Sequence, residues 1–284
     1  MIKIASWNVC GLPYLLNCHR KMNNHYRQCI VDKLKIFKDV DVFCLQEVFN
    51  KALLNLIKQE MSNYNVICSK KKTLLSSGLV ILVKKHYNVI STNFITYDSC
   101  CGEDCFANKG FLHIHLDNLH IINTHLNNDK PYFGEKKSNK VSKDQINCLN
   151  NYIQNLSGNI TICGDFNRSA TFLKPLLPCF KGFTKDPTYQ VKKQGESSNI
   201  DHIISNQNTE DIIIHPLFNI SDHSLIIKNI HNPPINLRRI SSFSMCNSHK
   251  NKRVKKSKKR VKRSKKRVKR SKKRVKKSKK RVKK

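Results

Sequence analysis

The order of elements in this sequence predicts an α+β sandwich, two packed sheets with helices outside them, rather than a doubly wound parallel sheet. Three observations carry that reading. Strand-like runs outnumber helical ones. Many of those runs follow one another with no helix between them. The chain, with 284 residues of which 39% are hydrophobic, is long enough to bury a sizeable core.

Along the chain, Ile2–Asn8 reads as a strand entering a Cys-Gly-Leu-Pro turn at Cys10–Pro13. Tyr26–Lys38 has helical spacing, with Ile30, Leu34 and Phe37 on one face. Asp41–Gln46 is a short apolar strand and Lys51–Met61 a second helix. Asn65–Cys68 and Gly78–Val83 are strands, the second a continuous apolar run suited to a buried position. Phe111–Leu116 and His120–Thr124 form a hairpin across Asp117–Asn118. Val141–Leu156 is a helix with Ile146, Leu149 and Ile153 inward. Asn159–Gly164, Ile200–Ile204 and Asp211–His215 complete the strands.

After Pro233-Pro234 the composition changes. Arg253–Lys280 is four copies of a seven-residue unit, RVKKSKK or RVKRSKK, closed by RVKK. Each unit holds a single valine, and a coiled-coil seam needs two apolar positions per heptad, so a coiled coil is excluded. Residues from Asn251 onward hold 24 of the 54 Lys+Arg and no acid. The expected organisation is a folded domain over 1–232, a linker over 233–250 and a disordered basic tail over 251–284. The tail's chemistry suits nucleic acid or nuclear targeting first, with an anionic membrane surface as the alternative.

Twelve cysteines are scattered without a C-x-x-C pair or a zinc-type ligand spacing, although Cys100, Cys101 and Cys105 cluster. Mostly buried free thiols in a reducing, intracellular compartment, cytoplasm or nucleus, are therefore expected rather than a structural disulfide. No apolar run approaches the roughly 18–20 residues of a membrane span, and the first residues lack a signal-peptide pattern. A soluble monomer is expected.

The chemically suggestive residues end strands: Asn8, Glu47, His125, Asp165 and Asp201. Strand ends of one rim converge, and sites are commonly built there. Asp165 and Asn167 are two apart, so on an extended chain both face one way. Asp222-His223 supplies a second Asp-His pair after Asp201-His202. Phosphodiester cleavage requires a hard cation on oxygen ligands, a base for water and donors for the phosphoryl oxygens. This set contains all three. Taken singly, each is weak: Gly-Asp-Phe-Asn alone fits a turn.

The ordered set Trp-Asn-Val, Leu-Gln-Glu-Val, Thr-His-Leu, Gly-Asp-Phe-Asn, Ile-Asp-His and Ser-Asp-His, from about residue 2 to 228, resembles the endonuclease/exonuclease/phosphatase superfamily. The resemblance implies a four-layer α/β/β/α sandwich with one site at the rim of its sheets. It implies Asn8 and Glu47 as ligands for Mg²⁺ or another divalent cation such as Mn²⁺. By the same resemblance, Asp165 and Asn167 orient water and hold phosphate, and His125 binds phosphate. His223 is the general base beside Asp222, Asp201 orients a catalytic histidine, and His202 is structural.

The stretch Gly102-Glu103-Asp104-Cys105-Phe106-Ala107-Asn108-Lys109-Gly110-Phe111 resembles a segment of neutral and bacterial sphingomyelinases, which implies that Asp104 and Lys109 shape the site near the phosphate. Only one aromatic, Phe218, lies between Asp201 and Asp222, so the aromatic membrane-docking hairpin of the bacterial enzymes is expected to be missing. Three readings stay open on the residues alone: a sphingomyelinase-like Mg²⁺-dependent phosphodiesterase, a DNA or RNA endonuclease of the same superfamily, and a non-catalytic nucleic-acid-binding protein.

Overall fold

A computed structural model describes residues 1–11, 23–69, 76–128, 134–190, 197–207 and 209–231. The predicted linker and tail, 233–250 and 251–284, lie outside the described residues, as do Leu12 and Pro13 of the first predicted turn. In chain order the elements are β1 (Ile2–Asn8), α1 (Asn24–Ile36), β2 (Val42–Gln46), α2 (Lys51–Glu60), β3 (Tyr64–Cys68), β4 (Val80–Lys84) and β5 (Val89–Thr96). A 3-10 turn (Gly102–Phe106), β6 (Gly110–Leu116), β7 (Leu119–His125), α3 (Glu135–Ile153), β8 (Asn159–Asp165) and α4 (Ala170–Leu173) follow. The remainder is β9 (Tyr189–Gln190), β10 (Ser197–Ser198), β11 (Asp201–Ser205), β12 (Ile213–His215) and β13 (Leu225–Ile230).

Two large sheets form, in the orders β12-β13-β1-β2-β4-β3 and β11-β8-β7-β6-β5, with β9 and β10 as a small hairpin. Each large sheet contains one parallel pair, β1 with β2 and β7 with β8, and all other pairings are antiparallel. A parallel pair needs a crossover, and α1 and α3 provide the two. The α+β sandwich read from the sequence is the fold observed.

Strand alternation sorts the core into layers. On β1, Ile2 and Ile4 join Val42, Cys44, Ile81 and Val83 against Leu112, Ile114, Ile121, Cys163 and Ile203 of the other sheet. The alternate residues Ala5 and Trp7 turn outward, with Phe43, Leu45, Val80 and Leu82, onto Ile30, Val31 and Leu34 of α1 and Leu53 and Ile57 of α2. On the far sheet α3 buries Ile146, Leu149 and Ile153, and its Tyr152 ring lies 5.1 Å from that of Phe111 on β6. Helices α1 and α2 start where asparagines cap them: Asn23 Oδ1 accepts from Tyr26 N at 2.8 Å and Asn50 Oδ1 from Leu53 N at 2.9 Å. Such caps contribute about 1 kcal/mol each.

Three differences from the sequence reading stand out. β5 runs along an edge and is largely exposed, so it lacks the alternation that marks a half-buried strand. β13 is central and buried, but it contains Lys228, which is 1% exposed and donates to the carbonyls of Gly182 at 2.9 Å and Ile203 at 3.0 Å. Cys100 and Cys105 form a disulfide, which corrects the expectation of free thiols there. The 3-10 turn brings the Cα atoms of Cys100, which precedes it, and Cys105, which lies within it, to 5.3 Å, a pairing that neither C-x-x-C nor zinc spacing would flag. The other described cysteines, Cys10, Cys29, Cys44, Cys68, Cys101, Cys148, Cys163 and Cys179, form no disulfide. Among the described residues, no helix is long and apolar enough to cross a membrane.

Candidate active site

The site is the polar end of the core between the sheets. The period of two that buries Ile2 and Ile4 points Asn8 the same way, and likewise Ile121 predicts the direction of His125, Cys163 that of Asp165 and Ile203 that of Asp201. Register brings them together: His125 and Asp201 are both paired with Asp165, on opposite flanks of β8. Asn8 ends β1 opposite Gln46, so Glu47 is the first residue past β2. Both parallel pairs thus deliver their carboxyl-terminal ends to one rim, and the antiparallel β11 and β13 start there.

Asp165 is the centre of the cluster. Its Oδ2 accepts from Asn8 Nδ2 at 3.0 Å and lies 3.5 Å from His125 Nε2 and 3.7 Å from His223 Nε2. Its Oδ1 accepts from Asn167 N at 2.9 Å. That last bond changes how Asn167 reaches the site. Its φ is 49°, left-handed rather than extended, so a turn and not strand alternation presents it. Asn167 Nδ2 donates to Leu126 O at 3.1 Å. Gly164 is required before Asp165: its φ is 147°, and a Cβ there would stand 1.9 Å from Thr124 O.

His223 Nδ1 lies 2.8 Å from Asp201 Oδ2, and both residues are buried. Burial opposes charge on this imidazole, but Asp201, Asp165 and Asp222 outweigh it and push its pKa up to about 10. The loop carrying it is fastened to β1: Trp7 Nε1 donates to His223 O at 3.2 Å, Ser221 Oγ to Asn8 O at 2.6 Å, and His223 N to Ser221 Oγ at 3.1 Å. Asp222 is partly exposed, with its carbonyl accepting from Gln190 N at 3.0 Å.

Glu47, at φ 59°, is held in a backbone conformation that costs a non-glycine residue on the order of 1 kcal/mol or more. Burial and then the Asp222 charge push its carboxyl up to about 7. His125 is driven the other way, down to about 3, by burial and by Lys109, and its Nδ1 is buried with no partner. Lys109 itself is buried, 3.1 Å from Asp104 Oδ1 and 3.1 Å from Leu126 O, while Asp104 Oδ2 accepts from Asn128 N at 2.7 Å.

His202 faces the opposite side of β11. Its Nδ1 accepts from Thr184 N at 3.1 Å, its Nε2 donates to Arg168 O at 3.0 Å, and the rings of Phe166 and Phe183 lie at 5.5 and 5.8 Å. Both nitrogens are used, and burial holds its pKa down to about 4.

Some supporting residues escape a sequence reading. Arg168 Nη1 donates to Asn167 O at 2.6 Å and Nη2 to Ser138 Oγ at 2.6 Å, tying the turn to α3. Thr188 Oγ1 accepts from Asp201 N at 3.0 Å, and Tyr189, bridged to His223, sets its ring 4.8 Å from the imidazole. Thr188-Tyr189 follows a proline in an irregular stretch, with no periodicity to draw notice.

Asp165, Asp201 and His223 present ligand atoms within 4.8 Å of one another, a group able to hold a metal ion. The His223–Asp201 hydrogen bond already engages Nδ1, so oxygens are the better donors. The wider cluster supplies them: the four carboxylates of Glu47, Asp165, Asp201 and Asp222 gather near His223, Lys109 and a His125 held neutral. That excess of negative oxygen, with Glu47 raised toward neutrality, fits a hard divalent cation.

Residues 5–223 match the endonuclease/exonuclease/phosphatase family. Sphingomyelinase C 2 of Leptospira interrogans is 29% identical over 145 residues, covering 44% of this chain and 23% of that protein, so the chain spans about a quarter of that relative's length. Beta toxin of Staphylococcus aureus superposes with a TM-score of 0.70 at 17% identity over 81% of this chain and all of its own. A variant of that toxin with bound magnesium ions gives 0.66 at 17% identity, over 81% of this chain and 99% of the toxin. Sphingomyelinase C from Streptomyces griseocarneus also gives 0.66, at 15% identity, over 81% and 99%. At these identities the solved structures establish a shared fold.

Proposed function

The chain belongs to the endonuclease/exonuclease/phosphatase family, and on that footing we propose that it is a divalent-metal-dependent phosphodiesterase of the sphingomyelinase type, hydrolysing a phospholipid headgroup ester. One observation carries the reading: a single carboxylate oxygen, Asp165 Oδ2, gathers Asn8, His125 and His223 around it, with Asp201 holding the far side of His223. The sphingomyelinase C relative and the magnesium-bearing toxin structure support the substrate class and the metal.

Asp201 orients the His223 ring through Nδ1; with the carboxylates that hold this ring protonated offset by a bound cation, Nε2 would be free to take a proton from the attacking water. Asp165 and Asn167 align that water. His125, kept neutral and with Nδ1 uncommitted, and Lys109, as a point charge, receive phosphoryl oxygens. Asp104 fixes Lys109. Glu47 and Asn8 would hold the cation; Asn8 Oδ1 accepts from Cys10 N at 2.9 Å and keeps a second lone pair for it. A bound Mg²⁺ or Mn²⁺ supplies Lewis-acid polarisation and offsets charge on the phosphate.

The test is a hydrolysis panel with Mg²⁺, setting sphingomyelin vesicles against single- and double-stranded DNA. Release of phosphocholine that disappears in Glu47→Gln is expected. Intact sphingomyelin and related phospholipids would overturn the lipid assignment, and metal-dependent nicking of DNA in its place would establish the endonuclease reading, for which the basic excess of residues 1–250 speaks. No hydrolysis of any phosphodiester would leave the non-catalytic reading.

A further inference from the structure

The disulfide has no part in that chemistry, yet it borders the site. Cys100 and Cys105 are both exposed, within reach of a thiol in solution. They close the turn Gly102–Phe106, and the turn carries Asp104. From Asp104 a line of contacts leads inward. Its carboxylate pairs with Lys109 Nζ at 3.1 Å and accepts from Asn128 N at 2.7 Å. Lys109 Nζ donates to Leu126 O at 3.1 Å, and the same carbonyl accepts from Asn167 Nδ2 at 3.1 Å.

Two further facts give the bond a local role. Its partners are only 5 apart in sequence, and a ring that small restricts the unfolded chain little, so its contribution to global stability is small. The root of the turn is fastened independently: Cys101 N donates to Asn127 Oδ1 at 2.9 Å, and Asn127 Nδ2 lies 3.2 Å from the buried Cys101 Sγ. Opening the bond therefore releases the segment bearing Asp104 without loosening its attachment.

We propose that Cys100–Cys105 is a redox-modification site at which a small thiol or a dithiol reductant tunes the phosphodiesterase centre. The oxidised turn presses Asp104 against Lys109 and Asn128, and the reduced turn lets them go. In the exchange a reductant thiolate attacks one sulfur. The other sulfur leaves as a thiolate and takes a proton. A second reductant thiolate then resolves the mixed disulfide. The chain gains two thiols, and the reductant is oxidised to its disulfide.

The inference rests on the proposed activity for one readout and is independent of it for another. The full chain is compared oxidised and after dithiothreitol, with the bond's state counted by intact mass after thiol alkylation. Reduction is expected to lower kcat/KM on sphingomyelin about tenfold, the weight of one charge-assisted contact. It is also expected to speed hydrogen exchange at the Asn128 amide by a similar factor and to move Tm by no more than about 3 °C. Cys100→Ser and Cys105→Ser reproduce the reduced values and become insensitive to dithiothreitol, whereas Cys68→Ser, at an exposed thiol, keeps the response. Verified reduction with unchanged Asn128 exchange, or with exchange changed but kcat/KM unmoved, overturns the proposal. So does a large fall in Tm, which would mark a structural staple. A chain inactive in every state overturns the proposed function, while Asn128 exchange still judges whether the bond orders the turn.

Discussion

Two groups of histidines lie at opposite ends of the five-stranded sheet and are handled in opposite ways. At the hairpin end, His113 Nδ1 is 2.9 Å from the Tyr152 hydroxyl, His113 Nε2 is 2.9 Å from His120 Nδ1, and His120 Nε2 is 3.1 Å from Ser157 O. Every nitrogen of these two rings has a partner, and burial holds both below the usual histidine range, His113 at about 4. At the rim, His125 keeps a buried Nδ1 without a partner, and three carboxylates raise His223 to about 10. Five residues of strand, about 16 Å, separate His120 from His125. The histidines of the hairpin end are fully satisfied, whereas His125 at the rim holds a nitrogen in reserve, as the proposed function requires of a phosphate-binding group.

The sharpest way to break this contrast is at His223. His223→Asn is expected to lower phosphodiester hydrolysis by about 10³-fold, within the range of a lost general base, while circular dichroism and Tm stay near those of the parent. Loss of the fold would place His223 with His113, as a structural histidine. Asp201→Asn keeps the shape but weakens the hold on Nδ1, with an expected loss of about 10²-fold, seen in kcat more than in KM. An unchanged kcat would mean that Asp201 does not orient the base.

The same contrast explains what the sequence made legible. Strands with continuous apolar runs, such as β2 and β8, announce themselves, and the residues at their carboxyl-terminal ends fall at the rim because register and period two fix their place and direction. The residue types at Asn8, Glu47, Asp165 and His223 then suffice to name a chemistry. What stayed hidden depends on contacts between distant segments. Lys228 disguised β13, since nothing local reveals that two carbonyls from other segments will receive its ammonium, whose pKa burial lowers to about 8. Arg168 and Thr188 are hidden for the same reason, whereas the Cys100–Cys105 bond is local and hidden because its spacing matches neither C-x-x-C nor a zinc motif. The left-handed turn at Asn167 defeats the extended-chain argument for its direction, although the residue still arrives at Asp165.

Acid tests the satisfied histidines as a class. His202 has a folded pKa of about 4 against an ordinary 6.5. Between those values the unfolded chain takes up a proton that the folded chain refuses. Stability from this group is therefore complete above about pH 6.5 and is lost as pH falls toward 4. The loss is of order 3 kcal/mol, and His113 adds in the same direction. Urea midpoints at pH 7, 5.5 and 4 should fall steeply across that window. A flat profile would mean that water reaches these rings and that the two ends of the sheet are less different than their hydrogen bonds imply.

The smallest expected effect on activity comes from the hairpin end itself. His120→Leu keeps the volume apolar but leaves the His113 Nε2 proton and the Ser157 carbonyl without their partner. One unsatisfied buried group costs about 1–3 kcal/mol, and His113 relieves part of the loss by shifting its proton to Nδ1 and donating to Tyr152, whose hydroxyl accepts as readily as it donates. A net loss of about 2 kcal/mol in urea unfolding is expected, with kcat/KM within about twofold of the parent. A stability loss without an activity loss is the signature of a histidine that holds β6, β7 and the end of α3 together. A fall in kcat/KM comparable to that of Asp201→Asn would instead mean that the two ends are coupled through β7, the strand that carries His120 at one end and His125 at the other.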